Sequence, residues 1–320
     1  MIQLKQVSKH YGNILALDQV DLTVHDGECV VLIGPSGCGK STLLKSINRL
    51  VDIDQGDIIV NGQNVKLYQP EALRRQLGYC IQGVGLFPHM SVYDNIATVP
   101  QLLKWDKLKT DDRIKSLMGL TGLPLSYLTK KPHELSGGEA QRVGVCRALA
   151  ADPSILLMDE PFGAVDPMTR EQIQLAFRKI QRELKKTVVF VTHDMEEAIL
   201  LADRIAIMHR GKILSLQRPG SLIQDHQDPF IQDFIGVDYP LRLLKRYTLK
   251  DLDPKTNPIE ATLALSETLD ESSTVKEILS EILKSGSTQI LIKKHDGTPV
   301  LVDYESIIDL IRKVNQDDQA

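Results

Sequence analysis

The chain has 320 residues, of which 42% are hydrophobic and 25% charged, and its formal net charge is −4. That length suits one large domain and one small one, and the mild acidity gives no broad electrostatic attraction to nucleic acid. The cysteines, Cys29, Cys38, Cys80 and Cys146, stand far apart without a CxxC pair; this argues against a disulfide framework or a zinc site and suits a reducing cytosol.

The opening residues alternate apolar and polar like a strand, not like a signal peptide. No apolar run approaches the length of a membrane span, so any work at a membrane needs a partner to hold the chain there. Val30–Ile33 predicts a buried strand, and a helix is expected over Thr42–Leu50. Between them lies Gly34-Pro35-Ser36-Gly37-Cys38-Gly39-Lys40-Ser41. A glycine turn that merely caps a helix is the competing reading, but the octet in a strand–loop–helix setting is specific for a phosphate-binding loop. Its glycines let successive N–H groups curl round a polyphosphate, and the helix N-terminus adds partial positive charge. Lys40 would bridge the outer phosphates and Ser41 would ligate Mg²⁺, with Thr42 following in the same cradle.

Residues 84–134, with turns at Pro88, Pro100, Gly122–Pro124 and Pro132, predict a helical insertion. Ile155–Met158 is a second buried strand and ends in Asp159-Glu160. Alone that is an ordinary strand end; downstream of a phosphate loop, Asp159 suits Mg²⁺ and Glu160 suits polarising the attacking water. A helix over Glu171–Lys186 places Ile173, Phe177, Ile180 and Leu184 on one face. His193 follows a third strand, Val188–Val191, where it would donate to the terminal phosphate. Continuous apolar strands of this kind predict an α/β core, parallel and covered on both faces, with ligands at the carboxyl ends of its strands. Arg204–Leu216 reads as strand, Arg-Gly turn, strand. Pro229–Ile235 is a short helix stopped by Gly236, and 237–266 is expected to be a linker. Over 267–320 a capping box at Thr274–Glu277 opens a helix that ends at Gly286. Strands at Gln289–Lys293 and Val300–Asp303 flank an Asp296-Gly297 turn, and a helix over Ser306–Val314 completes a small α+β domain.

Leu135-Ser136-Gly137-Gly138-Glu139-Ala140-Gln141-Arg142 resembles the LSGGQ signature of the ATP-binding subunits of ABC transporters. The resemblance implies a P-loop NTPase cassette over 1–236, with a RecA-like α/β core and a helical subdomain at about 84–150. It implies ATP and Mg as cofactors. It also implies a head-to-tail homodimer in which Ser136, Gly137, Gly138 and Glu139 reach the nucleotide held by the other subunit. Tyr11 resembles the aromatic that stacks on adenine. Gln82 resembles the glutamine that touches Mg²⁺ or water and senses the membrane subunits. Ala164-Val165-Asp166 resembles the loop that crosses the dimer interface. Cys38, inside the cradle, is expected to be a thiol that ATP protects from bulky reagents.

Three departures stand out. Glu139 replaces the usual glutamine and is expected to put a carboxylate near nucleotide and weaken closure, Val165 replaces a leucine, and Gly83 follows Gln82. Leu86-Phe87-Pro88-His89, Asn95–Pro100 and Leu102–Trp105 look like the quaternary-amine importers, which take up glycine betaine, choline or carnitine. The closing domain resembles a single CBS motif, and a plain packing or dimerisation element is the equal alternative. The implied partners are permease subunits and an extracytoplasmic solute-binding protein, with no nucleic acid. The implied place is the cytoplasmic face of the inner membrane, as a peripheral subunit. An importer ATPase for another small solute, a soluble ABC ATPase working on DNA or ribosomes, and a regulatory sensor with an inactive cassette remain the alternatives.

Overall fold

A computed structural model of the chain describes residues 1–83, 85–224, 228–252, 269–294 and 296–317, and the chain divides into two compact units, Met1–Leu216 and Gln217–Ala320. In the first, β1 (Ile2–Tyr11) and β2 (Ile14–Val24) precede β3 (Cys29–Ile33), which runs through the glycine loop into α1 (Lys40–Ile47). β4 (Gln55–Val60), β5 (Gln63–Asn64), α2 (Pro70–Gln76) and β6 (Leu77–Cys80) lead to three helices, α3 (Val92–Leu102), α4 (Lys107–Leu120) and α5 (Gly137–Leu149). Then come β7 (Ile155–Asp159), α6 (Pro167–Glu183), β8 (Thr187–Val191), α7 (Met195–Leu201), β9 (Arg204–His209) and β10 (Lys212–Gln217).

Two sheets result, an antiparallel one in the order β2-β1-β4-β5 and a larger one in the order β10-β9-β3-β8-β7-β6. Strands β9, β3, β8, β7 and β6 pair in parallel. Every residue of β3, β7 and β8 is buried, as uninterrupted apolar strands require: both faces must be covered. Phe162, Phe177 and Phe190 pack ring against ring on one side, with centroids 5.7–6.4 Å apart. The parallel order matters for chemistry because it sets the carboxyl ends of β3, β8, β7 and β6 side by side.

The helices depart from the expected bounds for local reasons. α1 stops at Ile47 because Arg49 turns left-handed (φ 50°), and its guanidinium donates to the carbonyls of Val65 (3.2 Å) and Tyr68 (2.8 Å). α6 starts four residues early, at Pro167. Asp166 accepts from the Thr169 N–H (3.0 Å), and proline at the first helical position needs no donor. It ends at Glu183, before left-handed Lys185, so Ile173 and Phe177 enter the core while Leu184 stays half exposed. β6 is too short and mixed to announce itself in sequence. Its Gly78 is required because a Cβ there would lie 2.4 Å from the Ala148 carbonyl of α5.

The second unit contains α8 (Pro229–Ile235), α9 (Tyr239–Leu243), α10 (Val275–Ser285), β11 (Gln289–Lys293), β12 (Pro299–Asp303) and α11 (Tyr304–Asp317). The capping box forms as expected, with Thr274 N–H on the Glu277 carboxylate (2.7 Å) and Glu277 N–H on Thr274 Oγ1 (3.2 Å); Gly286 closes α10 in the left-handed region. One expectation is corrected. Part of the supposed linker over 237–266 is packed: Tyr239, Leu243, Leu244, Leu249 and Leu252 are buried, and the Tyr239 hydroxyl donates to the Pro219 carbonyl at 2.8 Å. Leu244, Leu249 and Leu252 share a core with Val275, Ile278, Ile282 and Ile290. Leucines on short successive helical turns drive that burial, which the segment's polar residues hid. α8 and α9 also belong to this unit, so the division falls after Leu216 and not after 236. Positions 253–266 of the expected linker, with 267 and 268 beyond it, lie outside the described residues. No helix among the described residues is long and apolar enough to cross a membrane.

Candidate active site

The glycine loop leaves the end of β3 under tight constraint. A Cβ on Gly34 would lie 2.1 Å from the Met208 carbonyl, and one on Gly39 2.4 Å from the Ala16 carbonyl. Gly39 also holds φ 110°, a conformation that side chains resist. These two glycines let neighbouring strands pass beneath the loop, while Ser36 and Gly37 face outward. Lys40 is buried, and its ammonium donates to the carbonyls of Gly34 (2.8 Å) and Pro35 (3.0 Å), so the cation sits on the floor of the loop with its desolvation offset by two acceptors.

A cavity of about 340 Å³ opens over this loop. The β1–β2 hairpin lines it with Tyr11, Ile14 and Ala16, the loop and α1 with Ser36, Gly37 and Gly39–Thr42, and the strand ends with Gln82 and Glu160. Residues more than a hundred positions apart thus meet round one space of polyphosphate chemistry. Tyr11 is half exposed, with the Lys9 ammonium 5.7 Å from its ring centroid. The hairpin contributes only ring and aliphatic side chains to the lining, a surface for stacking.

Beside the loop, Ser41 Oγ donates to the Asp159 carboxylate at 3.0 Å. Asp159 is buried, and burial pushes its carboxyl above the usual range, against the pull of that hydrogen bond. A hydroxyl and a carboxylate side by side are hard oxygen donors. Among the described residues no cluster of three His, Cys, Asp or Glu side chains could hold a metal alone. Mg²⁺ takes one or two protein ligands and completes its shell with phosphates and waters, so this pair fits it.

The three expected catalytic residues come together. Glu160 Oε2 accepts from Gln82 Nε2 at 3.3 Å, and Glu160 Oε1 lies 3.3 Å from His193 Nδ1. The residues on either side of His193 are tied by contacts that the sequence did not disclose. Thr192 Oγ1 donates to the buried Glu197 (2.5 Å) and accepts from the Asp194 N–H (3.0 Å), and Gln174 of α6 donates to Glu197 at 2.9 Å. Burial raises the Glu197 carboxyl above the ordinary glutamate range.

The signature residues Ser136, Gly137, Gly138 and Glu139 begin α5 and are not among the described residues that line the cavity. Glu139 has a structural role here. Its carboxylate accepts from the Ser136 N–H (2.7 Å) and the Tyr127 hydroxyl (3.1 Å), completing a capping box with Ser136 Oγ. The Ser136 backbone bond is the main cause of its lowered pKa. The N–H of Ser136 is therefore engaged by the cap of its own helix. Asp166 caps α6 and is exposed.

Cys38 is the clearest correction. Its side chain is 5% exposed and joins the core beneath the loop, with Sγ 3.7 Å from Lys40 Nζ. It does not point into the cradle. All the cysteines are buried, and burial pushes the thiols of Cys80 and Cys146 up to about 12. A bulky maleimide should therefore label Cys38 at a small fraction of the rate of an accessible thiol, equally with and without ATP. Tenfold protection by ATP would return the thiol to the cradle.

Fold and site together define a P-loop nucleotide hydrolase. The ABC transporter family profile matches residues 17–163. The chain is 46% identical over 274 residues to the glycine betaine/carnitine/choline transport ATP-binding protein OpuCA of Bacillus subtilis (strain 168), covering 85% of this chain and 71% of that one. It is 42% identical over 300 residues to the glycine betaine uptake system ATP-binding protein YehX of Escherichia coli (strain K12), covering 93% and 96%. A dimeric ATP-binding cassette in a post-hydrolysis state bound to ADP and Pi superposes with a TM-score of 0.63 at 32% identity, over 68% of this chain and 98% of that one. The chain belongs to the ATP-binding proteins of ABC transporters and is an ATPase.

Proposed function

We propose that this ATPase drives an importer of quaternary-amine osmoprotectants such as glycine betaine, choline or carnitine. The observation that carries the solute class is the agreement of the relatives' names over most of the chain, including one matched along 96% of its length. The cassette itself does not touch solute, so its own residues speak only to the motor.

In this reading Tyr11 stacks on the adenine, and Gly34–Thr42 grip the phosphates through backbone N–H groups, the Lys40 ammonium and the start of α1. Ser41 and Asp159, with Gln82, would hold Mg²⁺, which would supply charge neutralisation to the bound nucleotide. Glu160 accepts the proton of the attacking water, and Gln82 and His193 fix the direction of its carboxylate. His193 then faces the terminal phosphate as a donor to developing negative charge. Two copies pair head to tail, so that Ser136, Gly137 and Gly138 of one reach the phosphates bound by the other, and exposed Asp166 lies in that interface. Glu139 adds a carboxylate near the phosphates, and its hydrogen bonds from the Ser136 N–H and the Tyr127 hydroxyl hold it at the start of its own helix.

The pair docks on two permease subunits at the cytoplasmic face of the inner membrane, and an extracytoplasmic binding protein delivers solute to the complex. Within the second unit, the stretch 267–320 serves as a CBS-like regulatory or packing element that shares its core with Leu244, Leu249 and Leu252. Reconstitution of the chain with its permease and binding protein in vesicles tests the proposal. ATP-dependent uptake of at least one of radiolabelled glycine betaine, choline or carnitine is expected. Uptake of none of them alongside uptake of another solute would replace the solute class, and retention on nucleic acid at physiological salt without permease association would replace the importer.

A further inference from the structure

Gln141 lies one turn into α5, on the buried face of the signature helix, and is 3% exposed. Its amide spans two stretches of backbone. Nε2 donates to the Glu160 carbonyl at 2.8 Å, and Oε1 accepts from the Ala164 N–H at 2.7 Å. Glu160 is a non-glycine residue with φ 46°, a left-handed conformation that its Cβ disfavours. It keeps that conformation because its peptide groups are tied on both sides. The N–H donates to the Val191 carbonyl of β8 (2.9 Å), and the carbonyl receives Gln141. With the backbone fixed, the side chain is directed to the place where it meets Gln82 and His193.

The same helix turn touches this loop a second time. A Cβ on Gly138 would lie 3.2 Å from the Ala164 carbonyl and 3.3 Å from Val165 Cα. The first turn of α5 and residues 160–165 therefore meet backbone to backbone, and the Gln141 amide pins them.

We infer that Gln141 is a positioning residue for hydrolysis. It holds Glu160 in the strained backbone conformation that aims its carboxylate, and it makes the signature helix and the catalytic loop one lever, so that a pull on Ser136–Gly138 reaches the base of the same chain. This deepens the site proposed above and rests on Glu160 being the proton acceptor. Binding of ATP uses other residues, so the effect falls on kcat and spares affinity.

The test uses ATP hydrolysis by the full chain. Gln141→Ala should lower kcat about 10- to 100-fold, with the KM for ATP within about threefold of the parent. Gln141→Glu supplies the reading that a packing role would not move. A protonated carboxyl can donate to the Glu160 carbonyl and accept from Ala164 as the amide does, whereas an ionised one cannot donate. Burial raises the pKa of such a carboxyl. The titratable side chains on or against the loop it pins are Glu160, whose carboxylate has His193 Nδ1 at 3.3 Å, and Arg170 of α6, which donates to the Val165 carbonyl at 2.8 Å. Titration of the parent site divides out in the ratio of variant to parent kcat, which should climb about fivefold or more between pH 8 and pH 6.

A flat ratio, or a Gln141→Ala kcat within twofold of the parent, overturns the inference, and so does a loss shared equally between kcat and KM. If Gln141→Ala fails to fold, the Gln141→Glu ratio decides alone. Glu160→Gln run in parallel separates the two readings: parental hydrolysis by that variant removes Glu160 as the base, whereas its collapse beside a fully active Gln141→Ala removes only the role given to Gln141.

Discussion

Glu160→Gln should slow ATP hydrolysis about a thousandfold, while ATP affinity stays within about threefold of the parent. The size follows from losing a positioned proton acceptor, which is worth roughly 10²–10⁴ in rate. The selectivity follows from geometry. Glutamine is nearly isosteric, the backbone of residue 160 is held by Val191 and Gln141 whatever its side chain, and the phosphate grip proposed above belongs to residues 34–42. Binding without turnover should leave the two-copy state populated in magnesium-ATP, where light scattering would record a doubled mass that decays far more slowly than the parent's. Rapid-quench measurement of a single turnover checks the chemical step directly. Hydrolysis at the parental rate would mean that water gives up its proton elsewhere, and the cluster formed by Gln82, Glu160 and His193 would need another purpose.

How far the sequence carried the site depends on how far apart its parts lie along the chain. The glycine loop is eight consecutive residues, so its place between a strand and a helix was legible from glycine spacing and one lysine. Asp159, Glu160 and His193 sat at the ends of apolar runs, and parallel pairing of β8 between β3 and β7 sets those ends side by side. Cys38 was misjudged because motif membership says which residues form a loop, not which way each side chain turns, and here the core takes the thiol. Gln141 and Glu197 were passed over for a related reason. Their value lies in contacts to residues 19 and 5 positions away, and a glutamine or glutamate inside a helix gives no local sign of being buried. A signal was present for one of them: Gln141 follows the signature at the spacing that returns to the buried face of α5. The antiparallel β1–β2–β4–β5 sheet was foreseen only in its first strand, since its register shifts between Leu4, Val7, Lys9 and His10 blur the alternation. The packed segment over 239–252 shows the same limit from the other side, because its leucines found a core that its composition did not advertise.

Lys40→Ala should raise the dissociation constant for magnesium-ATP by about two to three orders of magnitude and abolish hydrolysis with it. Two losses act in the same direction. The first is electrostatic: a cation about 4 Å from a phosphate charge is worth roughly 4 kcal/mol at the effective dielectric near a protein surface, and about 1.4 kcal/mol is a factor of ten. The second is in the protein, since the Lys40 ammonium ties the carbonyls of Gly34 and Pro35, so its removal loosens the loop whose N–H groups must converge on the phosphates. The contributions can be parted with Lys40→Met, which keeps much of the buried stem and loses the charge, and Lys40→Arg, which keeps the charge. The guanidinium is planar and cannot sit between two carbonyls on the loop floor as the ammonium does. Lys40→Arg should therefore still bind poorly if fit governs, and within about tenfold of the parent if charge alone does. Titration with a fluorescent ATP analogue gives the dissociation constants, and far-ultraviolet circular dichroism checks that each variant keeps its fold. A folded Lys40→Ala chain with parental affinity would take the lysine out of the grip altogether, because no other cation lines the cavity among the described residues.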